Sequence, residues 1–476
     1  MELQLEQQQI SCMIPCANRS LEERFSADFV VPDSLPDASE LLLTEGNLCL
    51  WRLDLSDGSA ELEGEISARI CFADESGVPV SFPARIPIQL RLRAEAIEMG
   101  QRPFLRCRIK SLSGHMLNSR KVRLQGMVFC SLATYGSSEI TVTTGISAEG
   151  EGIFVRKTSM MVPYISAVEE QVFTVEETLP LLRGVPMDGR LISFTSTPVS
   201  DTCECRDQSV ILKGRIRTTL LYQDHEDQDL VTEVVDTPFT CLLDVSGEAS
   251  KCKLSLHLTS EDVRCRNDDP AVDTAFHLLA QVICYAERDV ECVSDAYSNR
   301  AVLNLSWKEQ SFPEYAQSEI TQSFVEQEIT CELAGKTVSA VRIFDQGESI
   351  AVTVMIRDAE QKFNSVAGVL KTEISPDCVV WLDQPSVRSG NSGLIVRVPI
   401  LVQKETETPV SVGVLSSAEL EDKISEMMPG FTLVRREECT DLWELAKTNK
   451  SSMKAIQAAN PEREQQSRWL VIPHVV

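Results

Sequence analysis

Histidine, aromatic residues and positive charge are all scarce in this chain. Five histidines occur among 476 residues, and aromatics make up 6%. None of the histidines stands in a His-Glu-x-x-His string. No Gly-x-Ser-x-Gly elbow and no Gly-x-x-x-x-Gly-Lys loop occurs either. The common signatures of zinc hydrolysis, serine hydrolysis and nucleotide binding are therefore missing. Lys and Arg total 45 against 71 Asp and Glu, a net charge of −26. Such a surface repels nucleic acid and anionic membranes, both of which need clustered cations. Long apolar runs are absent too. No stretch approaches the roughly 18 residues that a spanning helix requires, and no membrane insertion is expected. The start, Met1-Glu2-Leu3-Gln4-Leu5-Glu6, is acidic and lacks the basic and apolar regions of a secretory signal. A cytosolic setting is expected.

Cysteine is abundant, with 16 residues, yet no Cys-x-x-Cys pair and no His at zinc spacing accompanies it. In a reducing cytosol these read as thiols. Cys130 and Cys284 read as small buried hydrophobes. His115 follows Gly114 in an expected loop. His257 and His277 lie in strand-like runs. His225 sits in the acidic turn Asp224-His225-Glu226-Asp227, a solvated hairpin tip. Catalysis, a metal site and a cofactor are all not expected.

What is present is alternation, and it repeats. Leu62-x-Gly64-x-Ile66 recurs as Leu212-x-Gly214-x-Ile216, and Ile350, Val352, Val354 and Ile356 offer a looser third copy. A later strand recurs in the same order: Leu124-Gly126-Val128-Cys130, then Leu278-Ala280-Val282-Cys284, then Leu394-Val396-Val398-Ile400. The chain between the two landmarks is nearly equal in length in the first two copies and shorter in the third. Period-two alternation marks half-buried strands. Turn chemistry, as at Asp74-Glu75-Ser76-Gly77 and Ser246-Gly247, separates them. Pro79, Pro83 and Pro87 suit an edge strand. Helical periodicity is confined to the tail and to the stretch from Ser417 to Met428. The expected fold is mainly β: two to three tandem β-sandwich-like repeats, then a small βααβ unit. The expected boundaries are an N-terminal segment 1–27, repeats at 28–160, 161–312 and 313–415, a linker 416–430 and a terminal module 431–476.

The tail carries the most specific pattern. Phe431-Thr432-Leu433-Val434 reads as a strand. Asp441 with Glu444 three residues on reads as a capping box, and Leu442, Leu445 and Ala446 form one helical face beside Trp443. Ser452 is a second N-cap, with Met453, Ile456 and Ala459 as the buried stripe and Asn460-Pro461 as the stop. Leu470 and Ile472 alternate in a closing strand after Trp469. This order of Leu-Trp, Ala-Asn-Pro and Leu-x-Ile-Pro resembles a LysM module, which binds N-acetylglucosamine polymers or, in some proteins, another protein. Where such modules carry Gly-Asp-Thr, this chain has Cys439-Thr440-Asp441. Where they carry Pro-Gly-Gln, it has Gln466-Ser467-Arg468. The altered groove loops favour a protein ligand over a glycan.

Upstream, Val31-Pro32-Asp33-Ser34-Leu35-Pro36-Asp37 and Glu177-Thr178-Leu179-Pro180 precede the repeated strands, and Thr237-Pro238-Phe239 follows the second. Several such β-domains joined to one C-terminal LysM module resemble the SipL-type spore-coat morphogenetic proteins of endospore-forming bacteria. The resemblance implies a non-enzymatic scaffold in the mother-cell cytosol at the forespore surface, and later in the spore coat. It implies binding, through the module, to the ATPase of the coat's basement layer and to other coat proteins, so that the coat encases the forespore. The residues it singles out are Leu442, Trp443, Ile456, Asn460 and Leu470, and Thr440, Asp441, Arg468 and Trp469 beside them are further candidate binding residues. Arg435, Arg436 and Arg468 are surface cations for an acidic partner. The alternative is a peptidoglycan-anchoring protein that uses the same module.

Overall fold

The computed structural model describes residues 2–147, 152–183, 186–206, 208–225, 228–267, 269–332, 335–346, 349–372, 378–421, 430–435, 441–461 and 469–474. The chain is mainly β, as the alternation requires. It traces one strand order three times.

The first set opens with β1 (Leu5–Val30). A meander of β2 (Ala38–Ser56), β3 (Ser59–Asp74) and β4 (Pro79–Arg93) follows, then β5 (Arg102–Asn118) and β6 (Lys121–Ile146). The last strand returns antiparallel to the first, so that β1, β6 and β5 lie side by side. The second set is β7 (Ile153–Pro180), the meander β8 (Pro186–Arg206), β9 (Ser209–Asp224) and β10 (Leu230–Asp244), then β11 (Lys251–Cys265) and β12 (Ala271–Ser298). Here β7, β12 and β11 lie side by side.

The third set is shorter and broken. Its opening strand is split into β13 (Val302–Gln317) and β14 (Thr321–Thr330). Its meander is β15 (Thr337–Asp345), β16 (Ser349–Arg357) and β17 (Phe363–Lys371). Then come β18 (Cys378–Leu382), β19 (Ser386–Ser389) and the long β20 (Gly393–Glu421), which pairs with β13, β14, β18 and β19. Meander strands of 9 residues, against 16 in β3 and β9, explain the short third spacing in the sequence.

The two repeated strings hold fixed places in this order. The Leu-x-Gly-x-Ile string is the middle strand of a meander, and the later string is the returning strand. The glycines have a local cause. A Cβ on Gly64 would lie 2.3 Å from the Cys49 carbonyl oxygen, and one on Gly214 would lie 2.2 Å from that of Val199. Opposite each glycine the partner strand shifts register, between Leu50 and Arg52 and between Ser200 and Thr202. Each glycine thus receives a β-bulge that bends the meander. The prolines of β4 lie on a strand at the edge of its sheet, where the missing N–H leaves no ladder bond unmade.

Within each set the meander covers the other strands. Leu62, Ile66 and Ile86 meet Leu124 and Val128 in the first core. Leu212, Ile216 and Phe239 meet Phe276 and Leu278 in the second. Val352 and Val354 meet Val396 and Val398 in the third. Cys130 and Cys284 are fully buried in the first two. The sets also pack on one another. Leu42 and Leu43 of the first, Ile192 and Leu221 of the second and Met355 and Phe363 of the third share a cluster. Beside it Arg342, from β15, forms a two-pronged ion pair with Glu45 of β2 at 2.7 and 2.8 Å. Arg342 also donates to the Thr219 carbonyl oxygen of β9 at 3.0 Å. Three meanders therefore converge on one guanidinium.

At the other end, β1, β6, β7, β12 and β20 run 26 to 29 residues, far beyond the cores. Their outer portions make three ribbons: β1 with β6, β7 with β12, and β13 with β20. The ribbons pack together as a stem, through Ile10, Val142, Val162, Val290 and Phe312. Farther along, Ile146, Ile153, Val293, Leu415 and Ala418 continue it.

Several expectations meet a different arrangement. Within the expected segment 1–27, residues 5–27 belong to β1. The boundaries expected at 160, 312 and 415 fall inside β7, β13 and β20. Residues 417–421 end a strand rather than begin a helix, because β13 supplies their backbone partners; 422–429 lie outside the described residues. His115 lies in β5, not in a loop.

Candidate functional site

The C-terminal unit is β21 (Phe431–Arg435), α1 (Leu442–Thr448), α2 (Met453–Ala459) and β22 (Trp469–Pro473), with β21 and β22 antiparallel. The caps form as their chemistry dictates. The Asp441 carboxylate accepts from the Trp443 backbone N–H at 2.9 Å, and the Ser452 hydroxyl oxygen accepts from Ala455 N–H at 3.1 Å. Asn460 ties helix to strand. Its amide donates to the carbonyl oxygens of Ile456 and Val471, both at 2.7 Å, and its own oxygen accepts from Val471 N–H at 2.9 Å. Ile456, Leu470 and Ile472 are buried inside, whereas Met453, expected in the buried stripe, is exposed.

One face of the unit is docked on the tip of the stem. Trp443 packs edge-on against Tyr297 of β12, with ring centres 4.9 Å apart, and Phe154 of β7 stacks on Tyr297 as well. The indole N–H of Trp443 donates to Asp295 at 2.7 Å, and Lys447 Nζ donates to both oxygens of that carboxylate at 2.8 and 2.7 Å. Tyr297 Oη donates to the Ser451 carbonyl oxygen at 2.9 Å. Arg156 of β7 pairs with Asp441 at 2.8 Å. Charge follows contact here. Burial raises the Asp295 carboxyl, but Lys447 and Trp443 hold it below its ordinary value overall. The Trp443 N–H and then Arg156 do the same for Asp441. Burial pushes Tyr297 up to about 12.

Among the described residues, the outer side of the two-stranded sheet is exposed. Strand pairing sets Phe431 opposite Pro473, Leu433 opposite Val471 and Arg435 opposite Trp469. These six side chains share the outer side of the two-stranded sheet. Phe431 is 64% exposed, Leu433 54% and Trp469 53%. Two large aromatics and a leucine on one small sheet make an apolar face with an arginine at its end.

The expected site residues thus separate into three groups. Leu442, Trp443, Ile456, Asn460 and Leu470 build the unit or its seat on the stem, and Asp441 caps a helix and pairs with the stem. Trp469 lies on the outer face of the sheet, opposite Arg435. Thr440 and Arg468 lie outside the described residues, as do Arg436 and the two loops, 436–440 and 462–468, expected to line a sugar groove. The exposure of Phe431 and Leu433 is what sequence reasoning misses; apolar residues on both sides of that short strand are the available sign. Asp295, Arg156 and Tyr297 carry no local sign, because nothing near them in sequence announces the tail.

His115, His257, His277 and His474 each lie within hydrogen-bond distance of a neighbour. His257 is buried, with Nε2 2.8 Å from the Leu105 carbonyl oxygen, and burial lowers its pKa. No group of three metal-ligating side chains gathers among the described residues, and no helix among them is long and apolar enough to cross a membrane. No family model, curated protein or solved structure matches the chain.

Proposed function

We propose that this chain is a non-enzymatic scaffold of spore-coat assembly. It acts in the mother-cell cytosol at the forespore surface and then in the coat. In this reading the three strand sets are β-sandwich-like repeats and the C-terminal unit is a LysM-type module. The module binds the basement-layer ATPase of the coat, and the repeats offer surface to other coat proteins. The order of sequence motifs suggests the class of protein. The observation that carries the binding role is the open face of Phe431, Leu433 and Trp469, presented on a unit whose other face is already occupied by the stem. Exposed aromatics clustered on a rigid element are the usual anchors of a protein contact.

The test uses the full-length chain and the purified ATPase. Leu433→Asp places a charge in the centre of the face and should weaken binding at least about tenfold. Trp443→Phe, on the docked side, should leave affinity within about twofold. Sedimentation with purified peptidoglycan runs in parallel. Loss of ATPase binding in Leu433→Asp supports the reading. ATPase binding unchanged in Leu433→Asp refutes the role of this face, and retention on peptidoglycan without any ATPase binding overturns the reading in favour of a glycan anchor.

A further inference from the structure

A second site lies within the core of the second strand set, between the meander and the strands it covers. Cys203 and Cys205 alternate along β8, so both side chains point to the same, inner side. Cys252 meets them from β11, in the opposite layer. The Sγ atoms of Cys203 and Cys252 are 2.7 Å apart. Cys252 is buried, whereas Cys203 and Cys205 are half-buried and partly open to solvent. Hydrogen bonds to both neighbours hold the Cys252 thiol well above its ordinary range. The bond it gives Cys205 draws that thiol below its ordinary range, against the effect of burial. Elsewhere burial raises cysteines such as Cys71 and Cys49, which disfavours the reactive thiolate.

We propose that Cys203, Cys205 and Cys252 form a redox staple, in which Cys252 makes a disulfide that ties β8 to β11 across the core. The oxidant is a small-molecule disulfide. The Cys205 thiolate attacks one of its sulfurs, the external S–S bond breaks, and one thiolate leaves with the electron pair. Cys252 gives its proton to that thiolate and attacks Cys205 Sγ, expelling the second external thiolate, which takes a proton from water. Cys203 then attacks Cys252 Sγ, and its proton passes to the Cys205 thiolate that is released. Two protein thiols are oxidised and one external disulfide is reduced to two thiols. The three-thiol arrangement makes the bond mobile, since either half-buried thiol can reopen it.

The test treats the reduced full-length protein with oxidised glutathione, quenches with acid, alkylates under denaturing conditions and maps peptides without reductant. The expected result is a Cys203–Cys252 or Cys205–Cys252 linked peptide within one chain. Cys71 should be recovered as a free thiol in the same sample. Cys205→Ser should slow closure about tenfold or more, because the entry thiol is lost. Cys252→Ala should trap glutathione on Cys205 with no internal link. If Cys252 is recovered fully alkylated from oxidised wild-type protein, or linked only to another chain, the staple does not exist. That readout needs no variant, so misfolding of Cys252→Ala leaves the test intact.

Discussion

Replacing Arg342 with leucine tests whether the three strand sets are one cooperative body. The guanidinium is buried, with 2% of its side chain exposed, and the Glu45 side chain is 3% exposed. Arg342→Leu would leave that carboxylate with the Ser193 hydroxyl, at 2.9 Å, as its remaining described donor. It would also strip the Thr219 carbonyl oxygen of its 3.0 Å side-chain donor. Removing one partner of a buried pair costs about 3–5 kcal/mol, because the charge left behind has neither water nor counterion. The double replacement Glu45→Leu with Arg342→Leu removes both charges and should return to within about 1 kcal/mol of the parent. Urea titrations of both variants and the parent give the midpoints, compared at a common slope. Because the pair joins β2, β9 and β15, all three sets should lose stability together in Arg342→Leu, as a single shifted transition. A loss below about 1 kcal/mol, or a double variant no better than the single, would refute the keystone role. A transition that splits into separate steps already in the parent would refute the single cooperative body.

Two further outcomes follow from the geometry. Gly64→Ala and Gly214→Ala each force a Cβ against a backbone carbonyl oxygen; each should destabilise by about 1–3 kcal/mol, and a thermal melt unchanged within error would show that the bulges can relax. Glu261 on β11 has one carboxylate oxygen sealed from solvent without a partner, while the other accepts from Asn47 at 2.7 Å. Burial raises its pKa to about 7, so the folded state holds the proton more tightly than the unfolded chain does. Its stabilising effect is complete below the ordinary carboxylate range and is lost as pH rises through 7. The loss is at most about 3 kcal/mol. Glu261→Gln should flatten stability between pH 5 and pH 8, roughly that window, and an unchanged pH profile would remove Glu261 as its source.

How far the sequence discloses this molecule depends on the distance between partners. The helices of the tail announce themselves because Asp441 and Ser452 act on N–H groups two and three residues away. The middle and returning strands of each set are legible because alternation is local. The opening strands are not. Most of β1 is exposed, with Ile10 and Cys12 its buried apolar residues, and its partners lie more than a hundred positions along, as with Ile10 and Ile140. Trp443 shows the same limit. Its type and spacing mark a core position, yet its acceptor is Asp295, 148 residues earlier, so a reading of the tail alone places it among contacts for a partner. Arg342 and Glu45 look like ordinary solvated charges until three meanders are brought together around them.

The stem has a consequence for stoichiometry. Its three ribbons come from one chain, so a form that could be built by three identical subunits closes here within a single polypeptide. Three identical subunits would raise three equivalent modules at the tip. This chain raises one, seated on the second ribbon. Under the proposed function, each chain would present that face once at the tip.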